Sequence, residues 1–214
     1  MSGQSSRLVP RDAETRSSGF TIVELMVALM VFSIFLAIIT TSVLALTRAS
    51  SRIQVAAVST NQELAVFQRF DRAIRYADGI NGQGTGSSGA MYIEFRTPSD
   101  STPSGLTMCT QWRYDPAKTN VASRTWQDGN YSATVSAWNV QLNNVANDGG
   151  ANYPFKYVAP DSNGRNLQEM TLTLDAGNVV VKGAAISTTF VARNSAVTPD
   201  NPGGPVCQNA GSRL

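Results

Sequence analysis

Residues 25–46 read LMVALMVFSIFLAIITTSVLAL and decide how the rest of the chain is interpreted. The run contains no charged residue, no proline and no glycine. Its 22 residues would rise about 33 Å as an α-helix, close to the roughly 30 Å hydrocarbon thickness of a bilayer. Such a helix is apolar on every side, so a membrane or a large protein interior must surround it. We therefore expect a membrane-spanning helix.

Two other interpretations of this run are a buried core helix and a cleaved secretory signal peptide. The remaining chain is too small and too polar to enclose a core helix of this length. A secretory signal has an apolar region of about 7–15 residues, and Ala45-Leu46-Thr47 makes a poor small-residue cleavage site. Three arginines precede the run and two closely follow it, which favours a cytoplasmic N-terminus by one charge.

The composition excludes several classes of function. Charged residues make up 15% of the chain, below the roughly 25% of typical soluble proteins. The net charge of +2 creates no strong basic field for nucleic acid. Histidine is absent, which removes the commonest general base and most zinc sites. Since no acid pair, phosphate-binding loop or nucleophile motif stands out either, we predict no enzymatic activity, no cofactor and no metal site.

A short basic strip requires separate consideration. Arg69, Arg72 and Arg75 follow one another at three-residue steps on a predicted helix, and such a strip could contact nucleic acid. Asp71 and Asp78 lie nearby, and the overall charge is near zero. A solvated helix face with local ion pairs explains the strip, so no nucleic-acid partner is expected.

One carboxylate, Glu24, lies at the start of the apolar segment. An ionisable group at this depth needs a partner or a place at the headgroup level. If the chain were cut after Gly19, the new α-amino group of Phe20 would be cationic and one helical turn from Glu24. Spacing alone leaves two interpretations open. Glu24 either pairs with such an amine, its own or that of a neighbouring copy, or it is solvated at the interface.

The heptapeptide Gly19-Phe20-Thr21-Ile22-Val23-Glu24-Leu25 and the run after it resemble the class III signal of type IV pilins and type II secretion pseudopilins. That family has a short hydrophilic leader ending in Gly, then Phe, a Glu four residues later, and a long apolar helix. The resemblance implies cleavage after Gly19 by a prepilin peptidase and N-methylation of Phe20. It also implies that Glu24 helps to register an incoming subunit against its neighbour in a filament.

The helix is predicted to continue well beyond the apolar run. No proline or glycine lies between Phe20 and Asp78, which predicts a helix from about residue 20 to 77 that stops at Asp78-Gly79. Apolar positions at three-, four- or seven-residue steps predict one face that packs on a sheet. These positions are Ile53, Ala57, Thr60, Leu64, Phe67, Phe70 and Ile74.

The chain after Gly79 has the pattern of a β-rich head. Residues 81–89, NGQGTGSSG, predict a flexible loop. Strands are predicted at 91–96, 106–114, 131–142, 155–158, 170–174 and 186–192, with 179–181 closing a hairpin onto 170–174. The expected class is α+β: a long N-terminal helix, transmembrane in its first half and amphipathic in its second, packed on an antiparallel β-sheet head. The resemblance implies the same architecture, the pilin fold.

The two cysteines are expected to form a disulfide. Cys109 lies in a predicted strand and Cys207 in a tail rich in proline and glycine. Outside the cytoplasm, two cysteines tend to pair, and the resemblance supports this because many pilins close a C-terminal region with a disulfide. Two unpaired thiols are the alternative.

The sequence thus divides into four regions with one expected function. They are a leader (1–19), a membrane or filament-core helix (20–47), an amphipathic helix half (48–78) and a head outside the cytoplasm (79–214). Residues 67–77 and 189–194 resemble minor pilins and J-type pseudopilins. We expect a minor subunit that starts as a single-pass protein of the cytoplasmic or inner membrane. It would then join other pilins through its N-terminal helix in a cell-surface or periplasmic filament. The alternative is an anchored adhesin or sensor that never polymerises.

Overall fold

The computed structural model describes residues 19–129, 134–147, 150, 153–160, 166–177, 185–195 and 206–207. Within these residues the chain forms one long helix, α1 (Ile22–Arg75), a short 3-10 turn at Ser99–Ser101, and eight strands. The strands are β1 (Gly79–Thr85), β2 (Met91–Thr97), β3 (Met108–Asp115), β4 (Asn120–Gln127), β5 (Asn139–Asn143), β6 (Phe155–Val158), β7 (Gln168–Leu174) and β8 (Ile186–Ala192). Two compact units contain them, Met1–Ala49 and Ser50–Leu214, and the boundary falls within α1.

In the first unit, α1 is apolar and solvent-exposed along its length. The few polar side chains in its apolar segment donate their hydroxyl groups to carbonyl oxygens three or four residues earlier, over 2.7–3.0 Å. The donors are Ser33, Thr40, Thr41 and Ser42. The backbone N–H and C=O groups of a helix also pair with each other. Neither the backbone nor the hydroxyl groups of this segment therefore need a hydrogen-bond partner outside the helix.

The second unit contains two antiparallel sheets. The larger has five strands in the order β1-β2-β3-β4-β5, and the smaller has three in the order β6-β7-β8. β2 and β3 pair without a shift from Met91↔Tyr114 to Thr97↔Met108, whereas β1–β2 and β4–β5 each contain one register shift. The predicted α+β class, a long helix packed on antiparallel strands, is confirmed. The strands form two sheets, and not the single sheet that was expected.

Phe70 of α1 lies at the centre of the core. Its ring is edge-on to Phe95 and Trp112 of the five-stranded sheet, with centroids 5.4 and 5.0 Å away. It also contacts Phe155 and Phe190 of the three-stranded sheet, at 6.2 and 5.5 Å. Because aromatic pairs at such distances add to the energy of buried area, one fully buried side chain holds both sheets against the helix.

The buried face of α1 differs from the predicted one in part. Phe67, Phe70 and Ile74 are buried as expected, but Leu64 is 47% exposed and Glu63 is fully buried in its place. Ile53 is 69% exposed. Apolar spacing favours Leu64 over its acidic neighbour, whereas the buried face follows positions 63, 66, 67, 70 and 74.

Two strands were missed. β1 occupies part of the stretch predicted as a loop, where pairing with β2 and a bulge between Asn81 and Gly84 accommodate the glycines. β4 carries mixed polar and apolar residues and is held between β3 and β5. Of the segment predicted at 131–142, residues 134–138 are not a strand and β5 begins at Asn139, while 131–133 lie outside the described residues. The predicted strand at 179–181 also lies outside them.

Glutamine side chains join the two sheets where β1 and β6 approach. The side chain of Gln168 accepts a hydrogen bond from the backbone N–H of Ile80 (2.6 Å) and donates to the carbonyl of the same residue (3.4 Å). It also donates to the hydroxyl of Tyr157 at 3.0 Å. Gln83 accepts from the backbone N–H of Tyr157 at 2.9 Å. The side-chain amides of Gln83 and Gln168 therefore provide hydrogen bonds between the two sheets.

Candidate functional site

The first residues of α1 form a closed hydrogen-bonded turn around Glu24. The hydroxyl of Thr21 accepts a hydrogen bond from the backbone N–H of Glu24 at 3.2 Å. In return, the Glu24 carboxylate accepts from the backbone N–H and the hydroxyl of Thr21, both at 3.1 Å. Because α1 begins at Ile22, this is a capping box with Thr21 as the N-cap and Glu24 three residues later.

The capping box adds a third role to the two that spacing left open for Glu24. Before any cleavage creates an amine at Phe20, the carboxylate is held by Thr21 and lies at the positive end of the helix dipole. Sequence reasoning missed this contact, although the Thr-x-x-Glu pattern before an apolar run was a signal for it.

Gly19 and Phe20 lie immediately before α1, outside any helix or strand. The side chain of Phe20 is 86% exposed, and Gly19 is exposed as well. Glu24, three residues into the helix, lies on the next turn from Phe20.

The helix that follows has the length and composition of a membrane span. Among the described residues, α1 alone is long and apolar enough to cross a bilayer. Its apolar window is exposed among the described residues, whereas the core helix of a soluble protein is mostly buried.

Comparison with protein families locates the same segment. The model described as the prokaryotic N-terminal methylation motif matches residues 15–40. The chain carries the N-terminal signal of the type IV pilin and pseudopilin family. Its long helix and antiparallel sheets give it a pilin-like α+β architecture. Neither the curated proteins nor the solved structures gave a match.

A disulfide fixes the C-terminal tail of the pilin-like chain to the head. Cys109 of β3 and Cys207 are bonded, with their α-carbons 5.7 Å apart and a sequence separation of 98. Val206 and Trp126 pack beside the bond and are buried with it. The structure therefore favours the disulfide over two unpaired thiols. Gly79 allows this close approach, because a β-carbon there would lie 2.7 Å from Val206.

The basic strip of the pilin-like chain has local partners for two of its three arginines. Arg75 forms an ion pair with Asp71 at 2.5 Å, and Arg69 donates to the side chain of Gln141 on β5. Arg72 is exposed. No group of three or more potential metal ligands occurs in the part of the chain that the structure describes.

Glu63 is a buried carboxylate where the helix meets both sheets of the head. One oxygen accepts a hydrogen bond from the backbone N–H of Ala176, and the other has no partner. Ala176 follows β7 and bridges to Val145, which follows β5. Burial raises the pKa of Glu63, the bond from Ala176 lowers it in part, and the negative charge of Asp175 raises it further.

The raised pKa of Glu63 predicts a pH-dependent stability. A carboxyl group that binds its proton more tightly in the folded state than in the unfolded one destabilises the fold when ionised. The free energy of unfolding should therefore rise as the pH falls from neutral through the folded-state pKa. This gain should be complete below the ordinary value of 4.5.

Glu63→Gln keeps an acceptor for Ala176 and removes the charge, so its stability advantage over the wild-type chain should be largest at neutral pH and should shrink towards acid. Chemical denaturation between neutral and acid pH measures it. Asp175→Asn should reduce the effect without abolishing it, and a pH-independent difference between Glu63→Gln and wild type would contradict the assignment.

Proposed function

We propose that this chain is a minor subunit of a type IV pilus or of a related secretion or competence filament. The observation that carries the proposal is the N-terminal segment, in which exposed Gly19 and Phe20 precede a capped Glu24 and an exposed apolar helix. A simple membrane anchor would not need this order and spacing. The likeness of residues 67–77 and 189–194 to minor pilins and J-type pseudopilins supports the minor role.

The proposed sequence of events begins in the membrane. A prepilin peptidase cuts after Gly19, residues 1–19 are lost, and the amine of Phe20 is methylated. Residues 20–47 hold the subunit in the cytoplasmic or inner membrane, while residues 48–78 and 79–214 form the part outside the cytoplasm. The apolar helix then leaves the lipid and packs among the helices of other pilins or pseudopilins in a cell-surface or periplasmic filament.

Glu24 would align the entering helix with that of a neighbouring subunit. In the cut chain, the cationic amine of Phe20 lies one turn from Glu24, so the carboxylate can exchange its contacts with Thr21 for an ion pair. An amine of a neighbouring subunit can fill the same place. Since an unpaired charge in an apolar surrounding is costly, only alignments that pair the two groups would be stable.

The test is the N-terminal residue and intact mass of the protein recovered from its own cells. We expect a chain that begins at Phe20 and carries one methyl group, and we expect it in sheared filaments. Gly19→Val should leave the leader attached, whereas Gly3→Val, a matched change within the leader, should not. A chain that keeps residues 1–19 while the peptidase cuts other substrates would contradict the proposal and indicate an anchored binding protein.

A further inference from the structure

The two sheets of the head have four edges, and three of them are protected. Unpaired strand edges bind further strands unless bulges, short length, charges or a covering element prevent it. β1 contains a bulge and is joined to the β6 side by Gln83 and Gln168. β5 has five residues and a register shift, and β6 has four residues that include Lys156.

The fourth edge, β8, has no bulge, no charge and no proline, and no further strand among the described residues pairs with it. Its seven residues, ISTTFVA, include no charge and no proline. It pairs with β7 in unbroken register from Gln168↔Ala192 to Leu174↔Ile186, and its other side meets no further strand among the described residues. Thr188, Thr189 and Val191 are exposed along it. β8 is thus a regular, uncharged template for another strand.

A groove of about 470 Å³ with both apolar and polar lining runs between β8 and the helix. Phe67 and Phe190 form its floor, with their rings stacked at 6.2 Å and each side chain 7% exposed. Leu64 stands on the helix wall, 47% exposed. An apolar side chain of a bound segment could therefore pack in the groove, directly beside the β8 edge.

The rim of this groove carries one unbalanced positive charge. Arg75 and Asp71 both line the groove and neutralise each other in an ion pair at 2.5 Å. Arg193, just beyond the end of β8, also lines it and has no acidic partner among the described residues. A carboxylate on the bound segment could form an ion pair with Arg193.

We propose that the β8 edge and this groove bind an extended segment from the head of a neighbouring pilin-type subunit. The segment adds a strand to β8, places an apolar side chain on Phe67 and Phe190, and directs an acidic side chain to Arg193. The identity of the partner rests on the proposed function, whereas the binding mode rests on the edge itself.

Photo-crosslinking of the full chain in its own cells tests the proposal. Benzoylphenylalanine replaces Leu64 in the groove or Leu106, a leucine of similar exposure (44%) outside it. We expect an adduct from position 64 to the head of another chain with a pilin signal, mapped to a peptide with an apolar and an acidic residue. Position 106 should not give this adduct.

Substitutions at the edge separate strand addition from contact between helices. Thr189→Lys charges the edge and should lower the adduct yield about tenfold. Thr171→Lys is the matched control, because Thr171 is the partner of Thr189 on the central strand and loses the same hydroxyl contact. Arg193→Glu should also lower the adduct yield. Because Arg193 lies outside β8, this variant leaves the strand sequence unchanged and tests the site without altering β8 itself.

Equal loss in Thr171→Lys and Thr189→Lys, an adduct only to a chain without a pilin signal, or no adduct at position 64 would each overturn the proposal. The N-terminal residue, measured on the same samples, separates the two failures. A chain that begins at Phe20 but gives no edge adduct contradicts only the strand addition. A chain that keeps its leader contradicts the proposed function.

Discussion

Replacing Cys109 and Cys207 together by serine is expected to lower the free energy of unfolding of the head by about 4–5 kcal/mol. The bond closes a loop with a sequence separation of 98 residues, so its loss greatly increases the conformational freedom of the unfolded chain. Cys207 and Val206 also belong to the small core around Trp126, which would lose its anchor. Because small domains have about 5–15 kcal/mol of stability, the change removes a large fraction of it.

Denaturant unfolding of the full chain in detergent, followed by tryptophan fluorescence, measures this loss. Val206→Ala is the matched control, because it weakens the packing of the tail and leaves the disulfide intact. It should cost about 1–2 kcal/mol. A double serine variant no less stable than Val206→Ala would show that closure of the loop contributes little.

Replacing Glu24 by alanine is expected to leave cleavage after Gly19 intact and to reduce recovery in sheared filaments by about tenfold or more. A charge at the centre of a membrane helix costs about 2.5–3.5 kcal/mol. Near the interface, an unpaired amine or carboxylate should cost about half of that, and 1.4 kcal/mol corresponds to a tenfold change in an equilibrium.

The capping role of Glu24 can be separated from its charge. Glutamine also completes a capping box, so Glu24→Gln should keep the turn with Thr21 and still lose assembly. Thr21→Ala should weaken the cap by about 1 kcal/mol and leave the charge available. If Glu24→Gln assembled as well as the wild-type chain, capping and not the ion pair would be the function of this residue. Quantitative blotting of filament and membrane fractions gives the comparison.

Features encoded over a few neighbouring residues were predictable from the sequence. The strands at 155–158 and 186–192 have the predicted bounds, because short β-branched and aromatic runs between turns mark them locally. The methylation motif is equally local, since the matched segment spans residues 15–40, and the proposed roles of Gly19, Phe20 and Glu24 fall within it.

Features that depend on distant partners were not predictable. β1 is rich in glycine and exists because β2 pairs with it, while Gln168 reaches Ile80 across 88 residues of sequence. Glu63 is buried because Ala176 supplies a donor to it, and no helical pattern would place an acid there in preference to Leu64. In each case a tertiary contact overrode the local preference.

The hydroxyl groups of α1 have a consequence for the proposed move of this helix from lipid to filament. Ser33, Thr40 and Ser42 already donate to carbonyls one turn back, so these hydroxyl groups are hydrogen-bonded within the helix itself. It gives up no hydrogen bond on leaving the lipid and requires none on arrival. Apart from Glu24, the equilibrium between lipid and filament then depends on how well the surface of α1 packs against the next helix. Polar contacts from these hydroxyl groups would not compensate for poor packing.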